Sequence, residues 1–482
     1  MSPSLGDLIR RLGQPMDRGL AEIEIRAVTD DSRRVAPGTL FVARRGFAVD
    51  GHDFVAASVR RGAVAVVSER PVDTAVPVWT VPDGRRALAQ LSAAFYGDPT
   101  RSLKTIGVTG TNGKTSVCHF IAHLLGAHVA ALIGTVVNAA GEYRSMTTAS
   151  SPVVQQAARA ALDAGKQFFV VEASSAGLEQ HRLDEVDFDV AVFTNLTRDH
   201  LDLHGTMEAY GEAKASLFCG LKPGAFAVLN ADDSFSAHLQ RGTSAQTVRY
   251  GLKTCAEFQA AILGLSAAGT DVRLVHRGTS TDIHLPIVGA HSVSNALAAL
   301  AAAVCCGVEA SIAIPRLSTL PSVPGRWQTL ERDGVTAVVD YAHTPDGLEH
   351  ALRVMRAIYP RVILVFGCTG GSDRGRRAPM GRIAAELADV VVLTSDNPKD
   401  EDPEAILVEI EAGIEEGRAR VEHQSDRAEA IAVAVDAARP GDGILVAGKG
   451  HETYQIVRGE FQPHSDVHTL EQLGFAEVSQ SH

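Results

Sequence analysis

Three α/β domains in series are predicted for this chain, and three observations predict them. A chain of 482 residues exceeds what one hydrophobic core organises. From residue 105 onward, short apolar runs ending in polar residues alternate with helical patterns, and the alternation restarts after Pro324-Gly325-Arg326. The stretch Ile106-Gly-Val-Thr-Gly-Thr-Asn-Gly-Lys-Thr-Ser116 carries an apolar strand through a glycine-rich turn into a helix. The expected division is a small N-terminal α/β domain at 1–99, a central doubly wound α/β domain of P-loop type at 100–326, and a C-terminal Rossmann-like α/β domain at 327–482.

In the first domain, Leu40 to Ala43 follows a Pro37-Gly38 turn, and Ala63 to Ser68 is a continuous Val/Ala run. A helical stretch, Asp53 to Arg60, lies between these strands. Asp31-Ser32-Arg33 and Asp50-Gly51-His52-Asp53-Phe54 are polar clusters on predicted turns, and turn chemistry alone accounts for such clusters. A helix from Arg85 to Tyr96 ends at the linker Gly97-Asp98-Pro99. In the second domain the strand Thr105 to Val108 leads to a helix reaching about Leu125. Further strands at Val129 to Ile133, Phe168 to Val171, Val190 to Phe193 and Ala225 to Leu229 each stop at polar residues. Helices at Met207 to Phe218 and Ser294 to Val304 complete the pattern. The third domain repeats it, with strands at Ala337 to Asp340, Val362 to Phe366, Val390 to Thr394 and Ile444 to Ala447. Parallel sheets gather ligand groups at the carboxyl ends of their strands, so these polar ends are expected to converge.

Composition excludes several functions. A net charge of −12 argues against nucleic acid and against an anionic membrane as the partner, so an anionic ligand must meet local positive groups. Cysteines 118, 219, 255, 305, 306 and 368 show no CxxC spacing, and Cys305-Cys306 in an alanine-rich run reads as core packing. There is no signal-like N-terminus and no run of apolar residues long enough to span a bilayer. A soluble, cytoplasmic protein is expected, the composition suits a monomer, and only the tail Ser479 to His482 reads as dispensable.

The glycine-rich turn is the first functional candidate. Backbone N–H groups of Gly110, Thr111, Asn112 and Gly113 and the following helix N-terminus would face a phosphate. Lys114 would reach the terminal phosphates, and Thr115, followed by Ser116, could hold Mg²⁺. The usual spacing places a glycine where this chain has Val108, and an ordinary strand-to-helix turn is the competing interpretation. Glu172, directly after a strand, would complete a magnesium site of hard oxygens with Thr115 and ATP; alone it would be structural or solvated. In Thr194-Asn195-Leu-Thr-Arg-Asp199-His200-Leu-Asp202, His200 is either a loop histidine or a ligand of a second metal. Lys214 lies among small and apolar neighbours on a helix; by default it is solvated, and burial would demand a modification or a counter-ion.

In order along nearly the whole chain, the motifs are Asp31-Ser-Arg33, Asp50-Gly-His-Asp-Phe54, Thr109-Gly-Thr-Asn-Gly-Lys-Thr115, Glu172-Ala-Ser-Ser175, Asn195-Leu-Thr-Arg-Asp-His200, Asp340-Tyr-Ala-His-Thr-Pro345, Asp396-Asn-Pro398 and Gly448-Lys-Gly-His-Glu452. With this set the chain resembles the Mur ligases of peptidoglycan synthesis, and the last two motifs resemble the branch that adds the third residue of the stem peptide. The resemblance implies an N-terminal domain holding the UDP end of the acceptor, a central ATP-binding domain and a C-terminal domain bringing a free amino acid. It implies ATP-dependent amide formation on UDP-N-acetylmuramoyl-L-alanyl-D-glutamate through an acyl phosphate. Carried over residue by residue, Lys114, Glu172, His200 and Lys214 are implied to be catalytic, with Lys214 carbamylated. Thr115, Glu172, His200 and Lys214 are implied at the metals. Asn295, Arg326, Asp340 and His343 join the cradle residues on the nucleotide side. Ser32, Thr147, Thr148, Ser174, Gln180 and Arg182 are implied to hold the UDP substrate, and Arg377, Asp396, Asn397, Lys399, Gly448 and Glu452 the incoming amino acid.

Departures from the family pattern fall in the sites. Lys399 stands where diaminopimelate-adding members carry arginine, and a lysine offers a point charge where arginine offers a two-pronged clamp. A positive charge there still favours an acid-bearing amine, diaminopimelate, over L-lysine. Gly371-Ser372 replaces Asp-Arg, Ala176 replaces a histidine, Ser292 replaces an asparagine, and Phe47-Ala48 occupies a more polar stretch near the uridine. Together they leave open a paralogue with another acceptor or amine, and a silent nucleotide-binding regulator is the remaining alternative.

Overall fold

Apolar runs bounded by turn formers become strands buried on both faces, as parallel sheets require. The computed structural model describes residues 3–46, 49–136, 146–414 and 419–478, so Phe47, Ala48 and the tail Ser479 to His482 lie outside the described residues. Three α/β units follow one another. In the first, Ala27–Thr29, Thr39–Ala43, Ala63–Ser68 and Val78–Thr80 form a four-stranded parallel sheet in that order. Helices Leu5–Arg11 and Gly84–Phe95 cover it through Leu8, Ile9, Leu88 and Leu91. The two polar clusters act as turn caps: Asp31 Oδ1 accepts from the Arg33 N–H at 2.9 Å and Asp50 Oδ1 from the His52 N–H at 3.0 Å.

The central unit is a nine-stranded sheet in the order Thr279–Leu285, Gly269–His276, Phe258–Ser266, Gln246–Gly251, Phe226–Asn230, Phe188–Phe193, Lys104–Thr109, Phe168–Glu172, Ala130–Ile133. Every pairing from Phe258–Ser266 to Ala130–Ile133 is parallel. The strand order reverses beside Lys104–Thr109, which places the cradle at a topological switch point. Helices Lys114–Leu125 and Ala290–Cys305 share one face, and Ser151–Asp163 and Met207–Cys219 cover the other. Cys306 is buried in the first of these cores and Cys305 packs against it, in accord with core packing.

The fold differs from a purely parallel expectation at its edges. Gly269–His276 and Thr279–Leu285 pair antiparallel, extending the sheet as a meander. Their turn, Arg277-Gly278, has φ of +49° and +78°, the left-handed pair that a two-residue hairpin needs. Burial alternates along Gly269–His276, so one face is wet, unlike the doubly covered parallel strands.

The third unit orders its seven strands Arg420–His423, Val390–Leu393, Val362–Phe366, Gly443–Ala447, Val335–Asp340, Gln328–Arg332, Ala476–Glu477. The last two pair antiparallel and the rest parallel. Helices Pro345–Ile358, Arg377–Leu387 and Pro403–Glu411 pack on one face, Arg427–Ala437 and Asp466–Gln472 on the other. A hairpin, Tyr454–Val457 with Glu460–Pro463, lies beside the sheet. Among the described residues, no helix is long and apolar enough to cross a membrane.

Candidate active site between the central and C-terminal units

The cradle is built on glycine geometry that the nominal spacing misplaces. Val108 is fully buried inside the strand, so the position that lacks glycine is core. The backbone freedom lies two residues later, at Gly110 with φ +148°, where a Cβ would fall 1.8 Å from Thr194 Oγ1. Gly113, with φ +86°, would place a Cβ 2.3 Å from Asn295 Oδ1, so Asn295 lies directly over the turn. The loop is held from behind, since Asn195 Oδ1 accepts from the Asn112 N–H at 2.9 Å and Thr194 Oγ1 donates to the Asn112 carbonyl at 2.6 Å.

Lys114 Nζ curls over the loop, donating to the carbonyls of Gly110 at 3.1 Å and Thr111 at 2.8 Å. Burial pushes its pKa down, while Glu172 and Asp199 pull it back up. Thr115 Oγ1 lies 2.9 Å from Glu172 Oε1, and Glu172 Oε2 accepts from the Thr135 N–H and hydroxyl, both at 2.9 Å. Arg326 Nη2 reaches Thr115 Oγ1 at 3.1 Å from the start of the C-terminal unit. This pair of hard oxygens beside a phosphate cradle fits a magnesium ion bound jointly with phosphate.

Lys214 is 1% exposed, so the solvated default fails. Its Nζ donates to the Gly110 carbonyl at 2.9 Å and lies 4.0 Å from the Tyr210 ring centre. Burial, reinforced by Lys114, drives its pKa well below the usual lysine range. His200 caps a short helix, Leu201–His204, with φ +53°; its ring is half exposed, and partial desolvation at the cleft wall lowers its pKa to about 4. Its Nε2 is 3.4 Å from Asp199 Oδ2.

The sequence named Asp199 only as a neighbour of His200, yet it is the hub of the seam. It is 5% exposed, and His343 Nε2 at 3.7 Å and Arg376 Nη1 at 3.9 Å approach it from the C-terminal unit. Burial opposes its ionisation, but the bond to His343 and the surrounding cations hold it well below the usual carboxylate range. A second bridge joins Asn112 Nδ2 to Asp346 Oδ2 at 3.0 Å. Asp340, whose pKa burial raises, accepts from the Trp327 N–H at 2.8 Å, and Arg326 lies 4.3 Å over the Tyr341 ring.

A cavity of about 1270 Å³ runs along this seam, lined by Thr111 to Ser116, Thr147, Glu172, His200, Asn295, Arg326, Asp340 and His343. Ser292 lines it as well. The residues expected around nucleotide and metal thus share one cavity, with Gly110 and Lys214 directly behind its cradle wall.

Of the residues expected to hold the UDP substrate, Thr147 lines that cavity, while Thr148, Ser174, Gln180 and Arg182 cluster beside it. Thr148 Oγ1 donates to the Glu172 carbonyl at 2.7 Å and accepts from the Ser174 N–H at 2.8 Å. Arg182 donates to the Thr148 carbonyl at 2.5 Å and to Gln180 Oε1 at 2.7 Å. Burial lowers the Arg182 pKa, and Arg44 of the N-terminal unit adds repulsion, so positive charge gathers at that seam. Ser32 stands apart in its own turn, its carbonyl accepting from Arg61 Nη1 at 2.6 Å. Ala176 lies on the short helix Ser175–Glu179, beside this cluster.

The residues expected around the amino acid form a third cluster. Asn397 Nδ2 donates to Glu452 Oε2 at 3.0 Å, and Lys449, which the sequence did not single out, bridges Asn397 Oδ1 at 3.0 Å and Glu452 Oε2 at 2.8 Å. Gly448, with φ +109°, faces Asp396: a Cβ there would be 2.6 Å from Asp396 Oδ2. Lys399 has φ +53°, its N–H donates to the Ile456 carbonyl at 2.9 Å, and no ion-pair partner for its ammonium is found among the described residues. Arg377 is 1% exposed, and its guanidinium is shared between Glu401 (3.0 and 3.1 Å) and Glu409 (2.7 Å). Arg377 therefore holds the wall of this cluster in the present structure, not an open clamp. Gly371, with φ +59°, donates its N–H to Glu401 Oε1 at 2.6 Å.

A glycine turn with Lys114 and Glu172, facing a further α/β unit across one cleft, is the arrangement expected of a three-domain nucleotide-dependent ligase. Comparison with known proteins agrees over the chain: the Mur ligase catalytic domain matches residues 24–96, the Mur ligase middle domain 108–303, and the glutamate ligase domain 325–450. The UDP-N-acetylmuramoyl-L-alanyl-D-glutamate–2,6-diaminopimelate ligase of Geobacillus thermodenitrificans is 45% identical over 448 residues, covering 90% of this chain and 91% of that protein. A solved structure of a ligase of the same description is similar over 98% of both chains, with TM-score 0.69 and 35% identity. MurF from Acinetobacter baumannii, at 21% identity and TM-score 0.71 over 98% of this chain and 99% of that one, shares the fold. The chain belongs to the Mur ligase family, whose members are ATP-dependent ligases.

Proposed function

We propose that this chain joins meso-2,6-diaminopimelate to UDP-N-acetylmuramoyl-L-alanyl-D-glutamate, the third-residue step of peptidoglycan synthesis, with release of ADP and phosphate. The observation that carries the proposal is 45% identity, across nine-tenths of the chain, to a ligase of that description. The Lys399 charge agrees, since an unpaired ammonium attracts the distal carboxylate of diaminopimelate and repels the side-chain ammonium of L-lysine.

The chemistry needs two anions brought together, and these residues are arranged for that. The glutamate carboxylate attacks the γ-phosphorus, the bond to the β-phosphate oxygen breaks, and ADP leaves. The amine nitrogen, as free base, then attacks the acyl carbon; the tetrahedral adduct loses a proton from nitrogen to solvent and expels phosphate. Lys114, poised on the loop carbonyls, turns to the phosphates, and Arg326 lies at the same hydroxyl. Thr115 and Glu172 would hold a first magnesium ion and His200, kept neutral, a second; bound there, the ions neutralise phosphate charge. Burial disfavours the charged form of Lys214, and the free amine would add CO₂ to form a carbamate with loss of one proton. Thr147, Thr148, Ser174, Gln180, Arg182 and Ser32 would receive the acceptor. Asp396, Asn397, Lys399, Gly448 and Glu452 would receive the amine, with Arg377 fixing their wall.

We also infer division of the chain at 99/100 and 326/327, supported by the separate sheets on either side, and residence in the cytoplasm, supported by the need for ATP and by six free cysteines. The test is phosphate release from ATP with UDP-muramoyl-dipeptide and either diaminopimelate or L-lysine. Turnover is expected with diaminopimelate and to cease on chelation of Mg²⁺; equal rates with the two amines, or none with either, overturn the proposal.

A further inference from the structure

Behind the amine cluster lies an ion pair that belongs to no motif. Arg427, the first residue of helix Arg427–Ala437, and Asp466, the first of helix Asp466–Gln472, have fully buried side chains. They meet fork to fork, Nε to Oδ1 at 2.7 Å and Nη2 to Oδ2 at 2.8 Å. His464 Nε2 adds a contact to Asp466 Oδ1 at 2.9 Å.

What the guanidinium does with its remaining donors is the informative part. Nη2 also donates to the Ala447 carbonyl at 2.9 Å and Nη1 to the Ser395 carbonyl at 3.4 Å. Ala447 ends strand Gly443–Ala447 and precedes Gly448; Ser395 follows strand Val390–Leu393 and precedes Asp396. These strands are not neighbours, because Val362–Phe366 runs between them. One buried side chain therefore ties together two strand ends that no ladder hydrogen bond connects. Across that gap the tolerance is small, as the 2.6 Å between a Cβ at Gly448 and Asp396 Oδ2 shows. Gln455 Nε2 braces the same corner from the hairpin, donating to the Asp396 carbonyl at 2.8 Å.

We propose that Arg427 and Asp466 are positioning residues for the amine pocket, setting the spacing of Asp396-Asn397 against Gly448-Lys449 and thereby the choice of amine. A fully buried ion pair contributes little net stability compared with a well-packed apolar pair, so geometry is the role left for it. The inference rests on the amine-pocket assignment proposed above. It extends that assignment to two side chains which touch neither substrate.

The test compares R427M/D466L and R427K with the unmodified enzyme, using KM for amine, KM for ATP, the diaminopimelate to L-lysine rate ratio and thermal unfolding. Replacing both charges avoids stranding one, so R427M/D466L is expected to unfold within about 5 °C of the parent. Its KM for diaminopimelate should rise about tenfold or more while KM for ATP stays within about twofold, because only one pocket loses its spacing. The rate ratio should fall with it. R427K keeps the charge but cannot grip a carboxylate and two carbonyls at once, so it should move the same quantities by about threefold. An unchanged amine KM and rate ratio in either folded variant, or equal losses for amine and ATP, overturns the proposal; if the double variant does not fold, R427K decides. A parent enzyme inactive with diaminopimelate would instead overturn the functional assignment, and the variants are then compared with the amine it does use.

Discussion

At the scale of single residues, the cradle shows how burial prepares charged groups for transfer chemistry. Lys114 bonds only carbonyls of its own loop, so its loss should leave the fold nearly intact. Lys114→Ala is expected to lower kcat for phosphate release about 10³-fold, with an unfolding midpoint within about 3 °C of the parent. Lys214 makes a stronger demand, since burial and the neighbouring Lys114 both disfavour its charged amine. Lys214→Ala should abolish turnover, and the parent enzyme should lose activity in bicarbonate-free buffer and regain it when bicarbonate is added. A parent enzyme that keeps full activity in bicarbonate-free buffer, or a Lys214→Ala enzyme as active as the parent with bicarbonate present, would remove the carbamate from the mechanism. Much at this scale was legible in the sequence: the residues named for nucleotide and metal share a cavity wall or stand directly behind it. What was not legible is pairing at long range. Asp199 meets Arg376 and His343, and Lys449 meets Asn397, across separations that leave no local periodicity. Val108 looked like a defect because spacing counts residues, whereas the turn depends on φ, and φ is positive at Gly110.

At the scale of elements, strand and helix positions followed from apolar runs, since doubly buried parallel strands are continuous Val, Ile and Leu. Val362–Phe366 and Ala63–Ser68 coincide with the runs read in the sequence. The meander from Phe258 to Leu285 escaped notice, although Gly269–His276 alternates and Arg277-Gly278 is a hairpin turn, because its one-sided burial breaks the pattern of the other strands. Helix contacts carry consequences for the site as well. A Cβ at Gly381 would lie 2.0 Å from the Ile410 carbonyl, and one at Gly413 1.8 Å from the Ala378 carbonyl. Helices Arg377–Leu387 and Pro403–Glu411 therefore touch backbone to backbone, and the first of them begins with the arginine that grips Glu401 and Glu409. Gly381→Ala must push them apart, at a cost of about 1–3 kcal/mol by urea denaturation. Because the shift tilts Arg377 and spares the cradle, KM for the amine should rise more than KM for ATP. A loss of stability without that split would detach Arg377 from the pocket.

At the scale of the whole molecule, side-chain bonds join the central and C-terminal units, and several of the groups concerned titrate. Asn112 reaches Asp346, Asp346 pairs with His350 at 3.3 Å, and the rings of His350 and His291 lie 5.5 Å apart across the seam. Burial, with repulsion from His350, lowers the His291 pKa to about 4. A histidine with a depressed pKa is neutral in the closed form and free to take a proton in an open or unfolded one. Its contribution is present above the usual value of about 6.5 and is lost as pH falls toward the lowered value, by at most about 1.4 kcal/mol per pH unit for each group. His350 behaves oppositely. Its hydrogen bond to Asp346 raises its pKa, so its contribution is complete below about 6.5 and is lost as pH rises through the raised value. Its ring is half exposed, so solvent screening keeps this alkaline limb shallow. The closed arrangement should therefore be most stable near neutrality, falling steeply toward pH 4 and gently above neutral pH. Small-angle scattering and thermal unfolding between pH 4 and 9 would trace both limbs. His291→Gln should flatten the acid limb while keeping the neutral maximum, and His350→Gln should remove the alkaline one. An acid limb unchanged by His291→Gln would mean that closure depends on the carboxylates of the seam, Asp199 and Asp346, and not on histidines held neutral between the units.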